Sequence, residues 1–269
     1  MTDNEIDIET IIRKRAGSKA KYIPRFVYSW LRRFIHQDFI NAYLRQGREG
    51  VDFCQGTIDY LGVSLEVEGE ENLPSPTDGY CTFVSNHPLG AIDGVTLGAI
   101  LGKHYDGHIR YLVNDFLMNL SGLAPLCVPV NKIGKQSAHN LAEMVEQIYS
   151  GDNHVILFPA GLCSRRINGV IQDVPWHKSF ITKSRVHQRN IVPIHFIGQN
   201  SKRFYRVANF CKFFHLPNFA MALLPDEMYR SRGGHYTVRI GKPIPWESLT
   251  REKSTMEWAQ FVREQVYKL

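Results

Sequence analysis

The stretch YCTFVSNHPLGAIDG, residues 80–94, decides the fold that this sequence predicts. It begins with an apolar run typical of a buried strand, and apolar residues at helical spacing follow it. A strand that leads directly into a helix is the repeating unit of α/β folds, whose ligands bind at the carboxyl edge of the sheet. His87 and Asp93, which stand in the connecting turn, are therefore expected at that edge.

The alternation of strands and helices continues along the chain. Strands are predicted at residues 64–68, 80–85, 109–113, 126–130, 154–158, 191–196, 220–224 and 236–240. Helices are predicted at residues 94–103, 115–120, 136–149, 177–187, 201–213 and 246–267. This pattern predicts a single α/β domain with a mostly parallel, mixed sheet flanked by helices.

The N-terminal part of the chain is basic and amphipathic. Residues 11–50 carry ten Lys or Arg against two acidic residues, a net charge of +8, whereas the whole chain has a net charge of +6. Apolar residues between 22 and 44 recur at helical spacing, and a second helix is predicted at 49–60. We expect residues 1–62 to form a helical extension that associates with a membrane and residues 63–269 to form the α/β domain. The alternative is a helix docked on the domain with its Lys and Arg residues in solvent.

The composition of the chain argues against several classes of protein. The 43% hydrophobic content supports one substantial core, and the five cysteines show no C-x-x-C pair, as in a reduced, cytosolic protein. The start lacks an apolar leader, and the longest stretch of low polarity, residues 81–102, contains His87 and Asp93, which argues against a membrane span. We therefore expect a cytoplasmic protein, peripheral on the inner face of the membrane. The histidines show no metal-ligand spacing and no phosphate-binding glycine loop is present, so no metal and no bound cofactor are expected.

His87 and Asp93 are the first candidates for chemistry. An aspartate that accepts one imidazole N–H leaves the other ring nitrogen free to take a proton from an incoming hydroxyl group. The alternative is that Asp93 caps the following helix while His87 is an ordinary turn residue.

A second motif, FPAGLCSRR at residues 158–166, follows the strand predicted at 154–158. Pro159 and Gly161 indicate a tight turn whose backbone N–H groups can hold an anion or a developing oxyanion. Arg165 and Arg166 next to it could hold a carboxylate or a phosphate. Cys163 has no histidine nearby in sequence, which favours a buried thiol over a nucleophile.

These two motifs, with Ile191-Val192-Pro193-Ile194 and Ile240-Gly241-Lys242-Pro243-Ile244, resemble four ordered blocks of the glycerolipid acyltransferases, the family that includes lysophosphatidate acyltransferase. The resemblance implies acyl transfer from acyl-CoA or acyl-carrier protein to a lipid hydroxyl, with no covalent enzyme intermediate. It makes His87 and Asp93 the catalytic pair and residues 158–166 the acceptor-binding turn. The residues expected to bind the acceptor or the oxyanion are Phe158, Pro159, Gly161, Ser164, Arg165 and Arg166, with Asn86, Asn114 and Pro193 as secondary candidates.

Two departures from the family pattern bear on the acceptor. Five residues separate His87 from Asp93 where the family has four, so the turn must be built differently. Ala160 stands where the family has a glutamate that helps to hold a glycerol-phosphate acceptor, so the acceptor need not be a phosphoglyceride. The variant is similar to the hemolysin-like subgroup and to the O-acyltransferases that complete glycine or ornithine lipids.

We therefore expect an O-acyltransferase of membrane lipid and phospholipid metabolism that acylates a lysolipid. The alternative acceptor is an N-acyl amino acid, as in glycine or ornithine lipids. Expected partners are a membrane surface, bound through the N-terminal helix, a lipid acceptor and an acyl-carrier protein. Residues 202–216 form a second basic and aromatic stretch that suits a lipid interface. Two other classes compete: a non-catalytic basic membrane-binding protein, and a nucleic-acid-binding protein that is suggested only by positive charge.

Overall fold

The computed structural model describes residues 5–113, 120–129 and 135–269 of the chain. The strands that it contains are β1 Ser64–Glu68, β2 Thr82–Ser85, β3 Ile109–Val113, β4 Cys127–Pro129, β5 His154–Leu157, β6 Arg165–Ile167, β7 Val170–Gln172, β8 Ile191–Ile197 and β9 His235–Ile240. The α-helices are α1 Ile8–Ala16, α2 Arg25–Phe34, α3 Gln37–Leu44, α4 Gly50–Leu61, α5 Ile92–His104, α6 Lys135–Ser150, α7 Ser179–Val186, α8 Lys202–Phe213, α9 Leu224–Arg230 and α10 Thr255–Lys268.

Seven of these strands form one sheet in the order β1-β9-β8-β2-β5-β3-β4. Every pair is parallel except β8 with β9, so the predicted mostly parallel, mixed sheet is confirmed. β2 lies in the centre between β5 and β8, with Val84 opposite both Leu157 and Pro193. Because β2 and β5 are parallel neighbours, the turns that follow them emerge side by side at the carboxyl edge of the sheet.

Helices cover both faces of the sheet. On one face, side chains of α3, α4 and α5 pack with the sheet in the larger core cluster, which includes Phe53, Phe83 and Leu101. On the other face, α6, α7 and α10 form a second cluster that includes Tyr149, Phe180 and Val262. The arrangement confirms a single α/β domain, and it gives β2 and its turn rigid support from both sides.

The N-terminal residues form several short helices. The helical pattern over residues 22–44 is divided into α2 and α3, because His36 adopts a left-handed backbone conformation (φ 55°) between them. α3 and α4 contribute Tyr43, Leu44 and Phe53 to the core, whereas α2 leaves most of its length exposed. A boundary at residue 62 therefore stays a prediction, and α3 and α4 share the core of the sheet.

Two other predictions need correction. The predicted strand at 220–224 is wrong: Phe219–Leu223 is a 3-10 helix whose Ala220 and Leu223 pack beneath α8. The predicted helix at 246–267 begins only with α10, where Ser254 and Glu257 form a reciprocal capping box. The predicted helix at 115–120 lies, but for its last residue, outside the described residues.

The antiparallel hairpin of β6 and β7 was not predicted. It directly follows the 158–164 turn and redirects the chain. Among the described residues, none of the helices is both long enough and apolar enough to cross a membrane.

Candidate active site

Asp93 is the second residue of α5, and its carboxylate is completely buried beneath the turn that follows β2. Its Oδ2 atom accepts hydrogen bonds from Nδ1 of His87 (3.0 Å) and from the backbone N–H groups of Leu89 (2.9 Å) and Gly90 (3.2 Å). Its Oδ1 atom accepts the N–H of Gly94 (2.9 Å). Burial alone would raise the pKa of Asp93, but the His87 ring and the N–H groups outweigh burial and lower it.

This arrangement explains how five intervening residues still allow the pair to form. The turn folds around the carboxylate, which accepts hydrogen bonds from two of the turn's own N–H groups as well as from the imidazole. Gly90 adopts a left-handed conformation (φ 81°) that favours glycine. A Cβ atom at Gly90 would also overlap Sγ of Cys163, so the turn is closely packed against the 158–164 segment.

His87 is held on three sides. Because a carboxylate only accepts hydrogen bonds, Nδ1 carries the hydrogen that binds Asp93. The ring stacks on Phe158, with ring centroids 4.1 Å apart, and the backbone carbonyl accepts the N–H of Ser164 (2.8 Å). Nε2 makes no hydrogen bond to any residue that the structure describes. The ring is therefore fixed in the tautomer whose Nε2 can accept a proton.

Two opposing effects set the basicity of His87. Burial disfavours the imidazolium and would lower the pKa, but the adjacent Asp93 carboxylate outweighs burial, and the pKa of His87 is raised. Asp173 adds to this increase and Arg165 opposes it. A raised pKa makes His87 a stronger base than a free histidine, which suits the removal of a hydroxyl proton.

His87 opens into a large apolar cavity of about 910 Å³. Its walls come from α3, α4, α5, α7, α9 and the turn after β5, and they include Phe39, Tyr43, Val95, Phe158, Phe180 and Met228. The volume lies in the upper part of the range of about 300–1,000 Å³ that is typical of ligand sites. Among the described lining residues there is no Asp or Glu. A space of this kind suits an acyl chain.

The turn after β5 places three of the predicted acceptor-binding residues at this cavity: Phe158, Pro159 and Gly161. Gly161 adopts a left-handed conformation (φ 68°), and its N–H donates to the carbonyl oxygen of Phe158 (2.9 Å). That N–H closes the turn, so the structure does not offer it to an oxyanion, contrary to the expectation from the sequence.

The two arginines of the motif do not reach the His87 cavity. Arg165 donates to the carbonyl oxygens of Cys163 (2.6 Å) and Ser164 (3.3 Å), and its guanidinium lies over the ring of Phe204. Arg166 is exposed and lines a separate, more polar cavity of about 490 Å³. The physical reason is the unpredicted hairpin, which begins at Arg165 and carries both side chains away from the turn.

Ser164 and Asp173 form a network that the sequence did not predict. The buried Asp173 carboxylate accepts the hydroxyl of Ser164 (2.6 Å), the indole N–H of Trp176 (3.0 Å) and the backbone N–H of His87 (3.3 Å). The backbone N–H of Asp173 donates in turn to the Tyr267 hydroxyl (2.8 Å). Burial raises the pKa of Asp173, with these hydrogen bonds opposing it. Only the Asn168-Gly169 pair, a hairpin-turn signal, could have indicated that the chain returns here.

Of the secondary candidates, Asn86 and Pro193 make hydrogen bonds that support the sheet. The Asn86 side chain bonds both the carbonyl oxygen (2.9 Å) and the N–H (2.7 Å) of Phe196, which ties β2 to β8. Pro193 is buried within β8, and its carbonyl oxygen accepts the N–H of Gly241 (2.8 Å). Asn114 lies outside the described residues.

Cys163 and Ala160 are both buried, at 1% and 2% exposure. Burial raises the pKa of the Cys163 thiol to about 12, so it remains a protonated thiol at neutral pH. Ala160 packs in the core cluster with Trp176 and Phe180, where a glutamate carboxylate would be buried among apolar side chains. A metal cluster of three or more His, Cys, Asp or Glu side chains does not occur among the described residues.

The fold and the site define an α/β protein in which a carboxylate-braced histidine faces an apolar cavity, an arrangement suited to general-base acyl transfer. The sequence model of the acyltransferase family matches residues 10–269, and the chain belongs to that family.

Two relatives are similar over their whole length. The lyso-glycine lipid O-acyltransferase of Phocaeicola vulgatus is 53% identical, covering 100% of this chain and 98% of the relative. The lyso-glycine lipid O-acyltransferase of Bacteroides thetaiotaomicron is 51% identical, covering 100% of both. The crystal structure of the 1-acyl-sn-glycerophosphate acyltransferase PlsC from Thermotoga maritima aligns with a TM-score of 0.48 at 16% identity, over 97% of this chain and 84% of that chain.

The chain is therefore an O-acyltransferase of lipid biosynthesis. Family membership excludes the non-catalytic membrane-binding protein that the basic N-terminal residues allowed.

Proposed function

We propose that this enzyme transfers an acyl group from a thioester donor to the free hydroxyl group of a lyso-glycine lipid, with His87 as the general base. The observation that carries the proposal is the His87–Asp93 pair, in which the buried Asp93 carboxylate binds Nδ1 and His87 lines an apolar cavity of about 910 Å³. Both relatives that are more than half identical to this chain bear the corresponding name.

The reaction proceeds without an acyl-enzyme. Nε2 of His87 removes the acceptor hydroxyl proton while the hydroxyl oxygen attacks the thioester carbonyl carbon. The tetrahedral intermediate then collapses, the C–S bond breaks, and the thiolate takes the proton back from His87. The products are an ester and a thiol. Asp93 stabilises the imidazolium that forms between these steps.

The environment of Ala160 supports a non-phosphate acceptor. A glutamate at this position is the group that the resemblance associates with holding glycerol phosphate, and here the side chain is a buried methyl group in the core. Arg166 faces another cavity, and the described lining residues of the His87 cavity include no pair of arginines of the kind that suits a phosphate dianion. A monoanionic glycine headgroup requires less positive charge.

The donor and the location are also part of the proposal. The donor is an acyl-carrier protein or acyl-CoA thioester, and the enzyme works as a peripheral protein on the inner face of the membrane. The exposed aromatic residues Phe26 (72%) and Trp30 (58%) lie four residues apart on α2, among basic residues. Phe213 (76%) at the end of α8 is exposed on a second basic helix. Aromatic and basic side chains together favour anionic lipid surfaces.

The test compares two acceptors. Purified enzyme is incubated with an acyl-carrier protein thioester or acyl-CoA and either a lyso-glycine lipid or lysophosphatidate, and the acylated lipid is quantified by mass spectrometry. We expect acylation of the lyso-glycine lipid with a higher kcat/KM. Preferential acylation of lysophosphatidate would contradict the proposal, because it would indicate that the enzyme acts in phosphoglyceride synthesis.

A further inference from the structure

The anionic headgroup of the proposed acceptor requires a cationic partner near His87. An N-acylated glycine has lost the charge of its amine and keeps a single negative charge, on the carboxylate. A carboxylate that enters an apolar cavity without a partner is costly to desolvate. The two arginines expected to meet it from the sequence, Arg165 and Arg166, lie elsewhere.

The cavity contains another cationic segment, immediately before α7. His177 and Lys178 both line the His87 cavity. The N–H of His177 donates to the carbonyl oxygen of Pro159 (2.9 Å), and its ring lies against Gly161, 3.6 Å from where a Cβ atom would stand. The segment is thus fixed to the same turn whose Phe158 ring stacks on the catalytic histidine.

Lys178 is the lysine of this cavity that is available to a ligand. The other lysine among the described lining residues, Lys183, is paired with Glu146, which also contacts His187. The side chain of Lys178 makes no ion pair or hydrogen bond with the residues that the structure describes, and it is exposed at the cavity wall. Since the described lining residues include no carboxylate, the charge of Lys178 is not neutralised within the cavity.

We propose that Lys178, with His177 beside it, binds the carboxylate of the acceptor headgroup and selects an anionic, amino-acid-derived lipid for reaction at His87. This inference rests on the proposed function. Lys178 is a binding residue and takes no part in proton transfer. It determines which lipid hydroxyl is presented to His87.

The experiment uses a lyso-glycine lipid and its methyl ester, which differ only in the negative charge. The wild-type enzyme is expected to prefer the acid in kcat/KM by on the order of tenfold, the usual contribution of one hydrogen bond to a charged group. Lys178→Gln should lose that preference, because its kcat/KM with the acid should fall toward its kcat/KM with the methyl ester. Lys178→Arg keeps the charge and should retain the preference, and Lys103→Gln, an exposed lysine outside the cavity, should behave as wild type.

Three results would overturn the inference. An equal loss with both acceptors in Lys178→Gln would mean that the residue only supports the fold. A higher KM for the thioester donor, with the acid preference intact, would mean that Lys178 contacts the donor's phosphate arm. If the wild-type enzyme acylates neither acceptor, the proposed function itself fails, and this inference fails with it.

Discussion

Asp93→Asn tests the site at the Asp93 carboxylate, which is held by the most hydrogen bonds. An amide has one oxygen and one NH2 group, whereas the Asp93 carboxylate accepts three donors at Oδ2 and one at Oδ1. If the amide oxygen occupies the Oδ2 position, its NH2 group faces the N–H of Gly94. In the other orientation, the NH2 group faces His87, Leu89 and Gly90. In both cases the negative charge that stabilises the imidazolium is lost.

We expect the substitution to lower kcat by about 10²- to 10⁴-fold, which corresponds to about 3–5 kcal/mol of transition-state stabilisation. The pH dependence should change as well. His87 must be neutral to act as a base, so activity is lost as pH falls through its pKa, which Asp93 holds above the ordinary value. Without that charge, the acidic limb of the kcat/KM profile should move to lower pH.

The assay follows thiol release from the acyl donor with a chromogenic thiol reagent across the pH range. The matched control is Asp226→Asn, because Asp226 forms another close pair with a histidine, His36 (2.8 Å), outside the His87 cavity. That variant should lose stability and keep its kcat. If Asp93→Asn kept kcat within threefold and its pH profile were unshifted, the proposed role of the pair would be refuted.

Three further substitutions test neighbouring parts of the site. Cys163→Ser should keep kcat within about twofold, since general-base transfer needs no thiol; a loss of the size expected on removing a nucleophile would reinstate an acyl-enzyme. Asp173→Asn should lower the free energy of unfolding by about 1–3 kcal/mol and move the acidic limb of the pH profile to lower pH, because its charge helps to raise the pKa of His87; an unshifted limb would contradict this. Ala160→Glu should cost about 3 kcal/mol or more, measured by denaturant unfolding, because it places a carboxylate in the core; a stable variant that gains lysophosphatidate activity would oppose our account of the acceptor.

The sequence predicted the position of the His87–Asp93 pair because the order of the local elements was sufficient. A buried strand, a turn and a helix in succession place His87 and Asp93 at the carboxyl edge of a parallel sheet, whatever the rest of the chain does. The turns after β2 and β5 lie together because these strands are parallel neighbours, a pairing that the sequence did not predict. Only the family resemblance had assigned Phe158 to the same site as His87. The hydrogen bonds that shape the longer turn were not predictable, because they depend on Asp93 meeting the N–H groups of Leu89 and Gly90.

The prediction failed where tertiary packing overrides local pattern. The apolar residues at 220–224 have the composition of a strand, but they cover α8 as a 3-10 helix. The short hairpin from Arg165 to Gln172 carries little periodicity, so its turn away from the cavity was missed. Because the hairpin was missed, Arg165 and Arg166 were wrongly predicted to bind the acceptor. Asp173 and Lys178 were not identified, because they reach the site only after the hairpin has brought the chain back.

The central claim is that Nε2 of His87 takes the proton of the acceptor hydroxyl. The most direct measurement is the rate of ester formation by His87→Ala, with saturating acyl donor and lyso-glycine lipid, beside the wild-type enzyme. We predict a loss of about 10²- to 10⁴-fold in kcat for a variant that remains folded by circular dichroism. Ester formation by the folded variant within a few-fold of the wild-type rate would contradict the claim.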